Sequence, residues 1–136
     1  MVNLNECKLG DTLVSCHGLE LLYLKVDERN TPFRHRVVYP DGAGGSRADD
    51  GSVFINTPMP QDHNIVKVIP MDRSGKEDVE ILDVSAVDKE YAGAFTKDWA
   101  IQFANGTVMQ FDTEEEACEA QHIHRVNVGL DPMTGE

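Results

Sequence analysis

Glycine, proline and Asx residues break the first half of this chain into apolar runs of four to eight residues, and that spacing limits the fold more than any other feature. Runs of this length, bounded by turn residues, read as strands rather than helices. Asp11 to Cys16 is apolar at Leu13 and Val14, and His17-Gly18 makes a turn after it. Leu19 to Val26 is nearly continuous in apolar residues, so a strand covered on both faces is expected there. Asp27 to Pro32 is a polar loop, and Phe33 to Tyr39 is a third strand rich in β-branched and aromatic residues. Residues 40–46 hold three glycines, which suggests a mobile loop. Asp49-Asp50-Gly51 turns into Val53-Phe54-Ile55, and Thr57-Pro58-Met59-Pro60 ends that strand, because proline cannot donate to a ladder. Asn64 to Ile69 supplies another. The expected class is α+β and β-rich, with a small barrel or curved antiparallel sheet over residues 1–70.

Residues 71–97 read as a linker or an extra strand. Val79 to Val84 fits a strand, a helical turn also fits, and polar flanks at Asp72-Arg73-Ser74-Gly75 and Asp88-Lys89-Glu90 mark this stretch as the place for a boundary. Residues 98–130 then form a strand, strand, helix, strand module. Trp99, Ile101 and Phe103 alternate, Asn105-Gly106 is a hairpin turn, and Val108 to Phe111 returns. A two-residue loop there sets Phe103 opposite Val108 on the face of Trp99 and Ile101, leaving Ala100, Met109 and Phe111 on the other. Thr113 with Glu116 is a capping box, and Glu114, Glu115 and Glu116 suit the positive end of the helix dipole. Ala117, Ala120 and Ile123 form a narrow apolar stripe, and Val126 and Val128 alternate as a final strand. Residues 131–136 are a tail.

Of 136 residues, 40 % are apolar, enough for a core. The net charge of −12 argues against direct binding to a nucleic-acid backbone, which needs clustered Lys and Arg, and against an anionic membrane surface. It favours a basic partner, or solubility alone. The three cysteines, Cys7, Cys16 and Cys118, are not a disulfide framework. With no signal-peptide pattern and no membrane-length apolar run, the expected compartment is a reducing cytoplasm, where the sequon Asn105-Gly106-Thr107 is simply a turn.

No pattern for catalysis stands out, so a binding protein without cofactor is expected. Gly42-Ala43-Gly44-Gly45 lacks the following helix and lysine of a phosphate loop. Cys16 and His17 are adjacent on a strand and point apart, so they make no nucleophile–base pair. Cys118, His122 and His124, with Cys7 or Cys16 as a fourth, are the nearest approach to a metal set, but their spacing matches no zinc pattern and no metal is assigned. Phe33-Arg34-His35-Arg36 is the one compact basic patch. Arg34 and Arg36 share a strand face and Arg47 joins them across the glycine loop. Guanidinium forks suit phosphate, and Phe33, Tyr39 or Trp99 could stack on a base. The alternative is a solvated face paired with nearby carboxylates. Glu114 to Glu119 is either a solvated helix start or an acidic surface that meets a basic protein.

Leu9-Gly10-Asp11 entering a strand, His17-Gly18, Ala48-Asp49-Asp50-Gly51, Asp62 to Val66 and the ending with a Trp-led strand and Thr-Glu-Glu-Glu-Ala together resemble small proteins of tailed phages. The resemblance implies an anti-defence role in the host cytoplasm. One form is that of the Thoeris anti-defence sponges, β-rich homo-oligomers that sequester a nucleotide signal uncleaved. In this chain Arg34, Arg36, Arg47, Phe33, Tyr39 and Trp99 would line such a site. Another form is an acidic inhibitor that binds a basic host protein, such as a CRISPR effector, and a structural accessory domain is a third.

Overall fold

The structure is a computed structural model that describes residues 2–39, 42–53, 64–84 and 97–136. The expected strand around Phe54-Ile55, its proline breakers and the Asp88-Lys89-Glu90 flank lie outside the described residues. The chain divides into two compact units, Met1–Met71 and Asp72–Glu136. The fold is α+β and β-rich, with eight strands in two antiparallel sheets and one long C-terminal helix among the described residues.

The first unit holds β1 (Thr12–Ser15), β2 (Glu20–Val26), β3 (His35–Val38), β4 (Gly44–Arg47) and β5 (Ile65–Ile69) in the order β4-β3-β2-β1-β5. Four strands follow each other as a meander, and β5 returns to pair with β1. Of the two expected forms the sheet is the one found, and the described strands do not close into a barrel. Leu13, Leu21, Tyr23, Val37 and Ile65 form its core with Leu4, which a short 3-10 turn at Leu4–Glu6 delivers. In β2, Leu21 and Tyr23 are buried while Leu22 and Leu24 are half-buried, so the apolar run has one core face and one partly covered face.

One turn recurs. The backbone N–H of residue i reaches the carbonyl of i+4, and a left-handed glycine at i+3 donates back to i. It joins Ser15 to Leu19, Tyr39 to Ala43, Ala48 to Ser52 and Phe103 to Thr107, with Gly18, Gly42, Gly51 and Gly106 in the glycine place. Asp50 and Asn105 brace two of these turns by accepting from the backbone N–H two residues on. Such three-residue loops end in a bulge that only a residue at positive φ allows. At Gly51 the demand is double, because a Cβ would also stand 2.7 Å from the Ile65 carbonyl.

The glycine-rich stretch is not all loop. Residues 44–47 are β4, paired along its length with β3. Gly45 has no side chain because Tyr39 crosses there: a Cβ would lie 2.9 Å from the Tyr39 ring. Asp11 ties the sheet's ends together. Its buried carboxylate accepts from Lys8 N–H and Met71 N–H, both at 3.0 Å.

The second unit holds β6 (Glu80–Asp83), β7 (Trp99–Gln102), β8 (Val108–Phe111) and helix α1 (Glu114–Val128), with sheet order β6-β7-β8. The hairpin register differs from the expected one. The loop is three residues, 104–106, so Trp99 faces Phe111 and Ile101 faces Met109. A change of one residue in loop length moves a whole strand's side chains to the other face. Thr113 caps α1 by accepting from Glu116 N–H at 3.2 Å. The final strand expected at Val126 and Val128 is instead the last turn of α1. The buried stripe is Ala117, Ala120, His124 and Val128, a helical spacing that runs through a histidine. Gly129, left-handed at φ 86°, ends the helix, and Leu130 N–H closes back on the Arg125 carbonyl. Arg125 holds Asp78 through its Nε and one terminal nitrogen at 2.9–3.1 Å and donates from the other to the Pro132 carbonyl, so the expected tail folds back on the helix. No helix among the described residues is long and apolar enough to cross a membrane.

Candidate functional site

The basic patch at Phe33 to Arg36 splits across the sheet. In β3 alternate residues face opposite ways. His35 and Val37 point into the core, whereas Arg36 points outward. His35 is 0 % exposed and sits between two polar partners. Its Nε2 is 2.8 Å from Asp49 Oδ1, and its Nδ1 is 2.7 Å from the Tyr23 hydroxyl. Asp49 is ionised, because hydrogen bonds from Arg34 and then from His35 push its pKa down to about 2. An ionised carboxylate only accepts, so Nε2 carries the proton. In the neutral ring Nδ1 is then the acceptor, and the Tyr23 hydroxyl donates to it. Burial pushes the Tyr23 phenol up from its ordinary value, so it remains a donor at any physiological pH.

Arg34 completes this network. Its guanidinium donates to Asp49 and Glu28, each at 2.8 Å, and to the Asn5 side chain. Arg47 is 2 % exposed and opposite His35 in the β3–β4 ladder. It donates to the Tyr39 hydroxyl at 2.6 Å and to the Ser46 carbonyl at 2.9 Å. Of the six expected ligand residues, the structure thus brings Arg47 to Tyr39 and sends Arg34 to carboxylates. Phe33 is half-buried just before β3, and Trp99 belongs to the second unit, half-buried on β7. Arg36 stands apart from both arginine networks, with a carboxylate, that of Asp27, at 4.0 Å. Tyr23, His35 and Asp49 were not expected as a set. Their signal was the inward phase of His35 next to Val37, which makes a buried histidine in need of two partners.

Cys118 and His122 are exposed on α1, while His124 is buried and donates from Nε2 to the Glu77 carbonyl at 2.7 Å. The three do not face one point, and no group of three His, Cys, Asp or Glu residues among the described ones gathers as a metal site. His124 stacks edge-on against Phe103, with ring centroids 5.3 Å apart.

The charge is unevenly shared. Residues 72–136 carry fifteen of the 24 acidic side chains and five of the 12 basic ones, a net −10, whereas residues 1–71 carry nine and seven, a net −2. In α1, Glu114, Glu115, Glu116 and Glu119 are all exposed, and no Lys or Arg precedes Arg125. Arg125 itself is bound to Asp78, whose carboxyl burial would raise but whose bonds from Arg125 and Val79 N–H hold it below the ordinary value. Among protein families, curated proteins and solved structures, the chain has no match.

Proposed function

We propose that this chain is a non-catalytic binding protein whose main contact surface is the acidic face of the second unit, and that its partner is a basic protein. The observation that carries this is the concentration of charge: a net −10 within residues 72–136, with four exposed glutamates at the start of α1. Like charges concentrated in this way repel one another, and a basic partner relieves that repulsion while steering fast encounter. The partner class this fits is a nucleic-acid-binding host protein, the kind of target that the likeness to phage inhibitors implies.

Two observations support the non-catalytic part. The Tyr23–His35–Asp49 chain has the form of a proton relay, but Tyr23 is 3 % and His35 0 % exposed, so neither meets a substrate. The alternative expected from sequence, sequestration of a nucleotide by Arg34, Arg36 and Arg47 together, requires Arg34 and Arg47 to leave the partners they hold.

Capture from bacterial lysate tests the proposal. The wild-type chain should retain basic proteins at low salt and release them as ionic strength rises to about 0.5 M, where screening extends only a few ångströms. A variant with Glu114, Glu115, Glu116 and Glu119 changed to Gln should retain far less. Equal retention of the same proteins by that variant overturns the proposal.

A further inference from the structure

Asn105 is the only asparagine in this chain that a glycine follows. A following glycine leaves the asparagine side chain most open to attack by the next backbone nitrogen, because glycine has no Cβ to shield that nitrogen. In the hairpin between β7 and β8 both residues are exposed. Nothing among the described residues stands within 4 Å of where a Cβ on Gly106 would be. The same turn recurs at Asp50-Gly51, but there a Cβ would lie 2.7 Å from the Ile65 carbonyl and 2.9 Å from the Val2 side chain. Of the two turns, the one at Gly106 is open.

Two hydrogen bonds hold the reacting groups while the hairpin is folded. The Gly106 N–H, whose nitrogen is the nucleophile, donates to the Phe103 carbonyl at 2.9 Å. The Asn105 Oδ1, on the carbon to be attacked, accepts from the Thr107 N–H at 2.9 Å. Attack requires the Gly106 nitrogen to give up its proton, so the bond to Phe103 must break first. Phe103 is buried and stacks edge-on with His124, which anchors the acceptor end of that bond in the core of the second unit.

We infer that Asn105 is a site of spontaneous deamidation, gated by opening of this hairpin. The Gly106 nitrogen loses its proton to solvent and bonds to Asn105 Cγ. The Cγ–Nδ2 bond breaks, ammonia leaves with a proton from solvent, and a cyclic succinimide remains. Water then opens the ring, its hydroxyl going to the carbon and its hydrogen to the Gly106 nitrogen. Opening at Cγ gives aspartate, and opening at the backbone carbonyl gives isoaspartate. Aspartate keeps an acceptor for the Thr107 N–H, as Asp50 does for the Ser52 N–H at 3.0 Å. Isoaspartate adds a main-chain methylene to a three-residue loop whose length sets the register of β8. Either product adds a negative charge to the second unit, a one-way mark on molecules whose hairpin has opened. The reaction does not depend on what the acidic surface binds.

Ageing the full chain at mildly alkaline pH, followed by peptide mass mapping, tests this. Deamidation should appear at Asn105 ahead of every other asparagine. It should run about tenfold or more faster in concentrated urea than in native buffer, since only the open hairpin reacts. Met109→Ala removes a buried side chain that faces Ile101 in the hairpin. That variant should speed the native reaction several-fold and leave the rate in urea unchanged. Deamidation that begins at another asparagine overturns the site. Equal rates in native buffer and urea, or a native rate indifferent to Met109→Ala, overturn the gating.

Discussion

The two units spend their charges differently. In the first, cations and anions nearly balance, and the residues that looked most like a ligand site are turned on one another: Arg34 and His35 on Asp49, Arg47 on Tyr39. In the second, one arginine, Arg125, is committed to Asp78, and the acidic start of α1 is exposed. A cluster of arginines in sequence therefore marks internal order in one half of the molecule, while an unremarkable run of glutamates marks the outward surface of the other. Charge type alone does not separate a structural role from a binding role. Strand phase does.

Deep truncation gives the largest expected effect and shows whether the units are separate in stability. Leu13→Ala removes a side chain from the centre of the first core and should cost about 2–5 kcal/mol. Hydrogen exchange should show protection lost across β1, β2 and β3 and kept in α1. Equal loss in both units would break the comparison.

Next is the buried relay. Tyr23→Phe leaves the His35 Nδ1 without its donor and should cost about 1–3 kcal/mol by chemical denaturation, although only one oxygen is removed. A neutral result would mean that water or another group satisfies the imidazole. In the second unit the matching local test is smaller. Thr113→Ala removes the N-cap of α1 and should cost about 1 kcal/mol, with fraying confined to the first helical turn.

Acid sharpens the contrast further. The folded pKa of Asp49, about 2, lies below its ordinary value of 3.8. A depressed carboxyl pKa adds stability that is fully present above the ordinary value and is lost as pH falls through the folded one. Melting curves of wild type and Asp49→Asn should therefore differ at neutral pH and converge as pH drops from about 4 towards about 2. A gap that stays constant over that range would show that the Asp49 charge is not what stabilises the network.

Much of this fold was legible in the sequence. Alternation and turn residues located β1, β2, β3, β5, the hairpin and the cap at Thr113, because those signals are local. What was not legible had specific causes. The loop at 104–106 looked like a two-residue Asn-Gly turn, and only the cross-strand partner shows that Ala104 belongs to the loop. Val126 and Val128 alternate like a strand, but both lie in the last turn of α1, where Val128 continues a buried stripe that passes through His124, a residue whose polar character hid its burial, and Val126 is exposed. β4 was masked by its glycines, which serve the passage of Tyr39 rather than flexibility. The candidate site was legible as a list of residues and not as an arrangement. Arg34, His35 and Arg36 are consecutive, yet only the partner across the sheet decides which of them is structural.

The central claim is that location, and not net charge, makes the second unit the contact surface. Two variants of equal net charge test it: Glu115 and Glu119 changed to Gln on α1, and Glu6 and Glu20 changed to Gln in the first unit, all four being exposed. The quantity to measure is the salt dependence of association with a captured basic partner. The account predicts a shallower slope and weaker binding for the α1 variant, with the first-unit variant close to wild type. Equal weakening by both variants would contradict it.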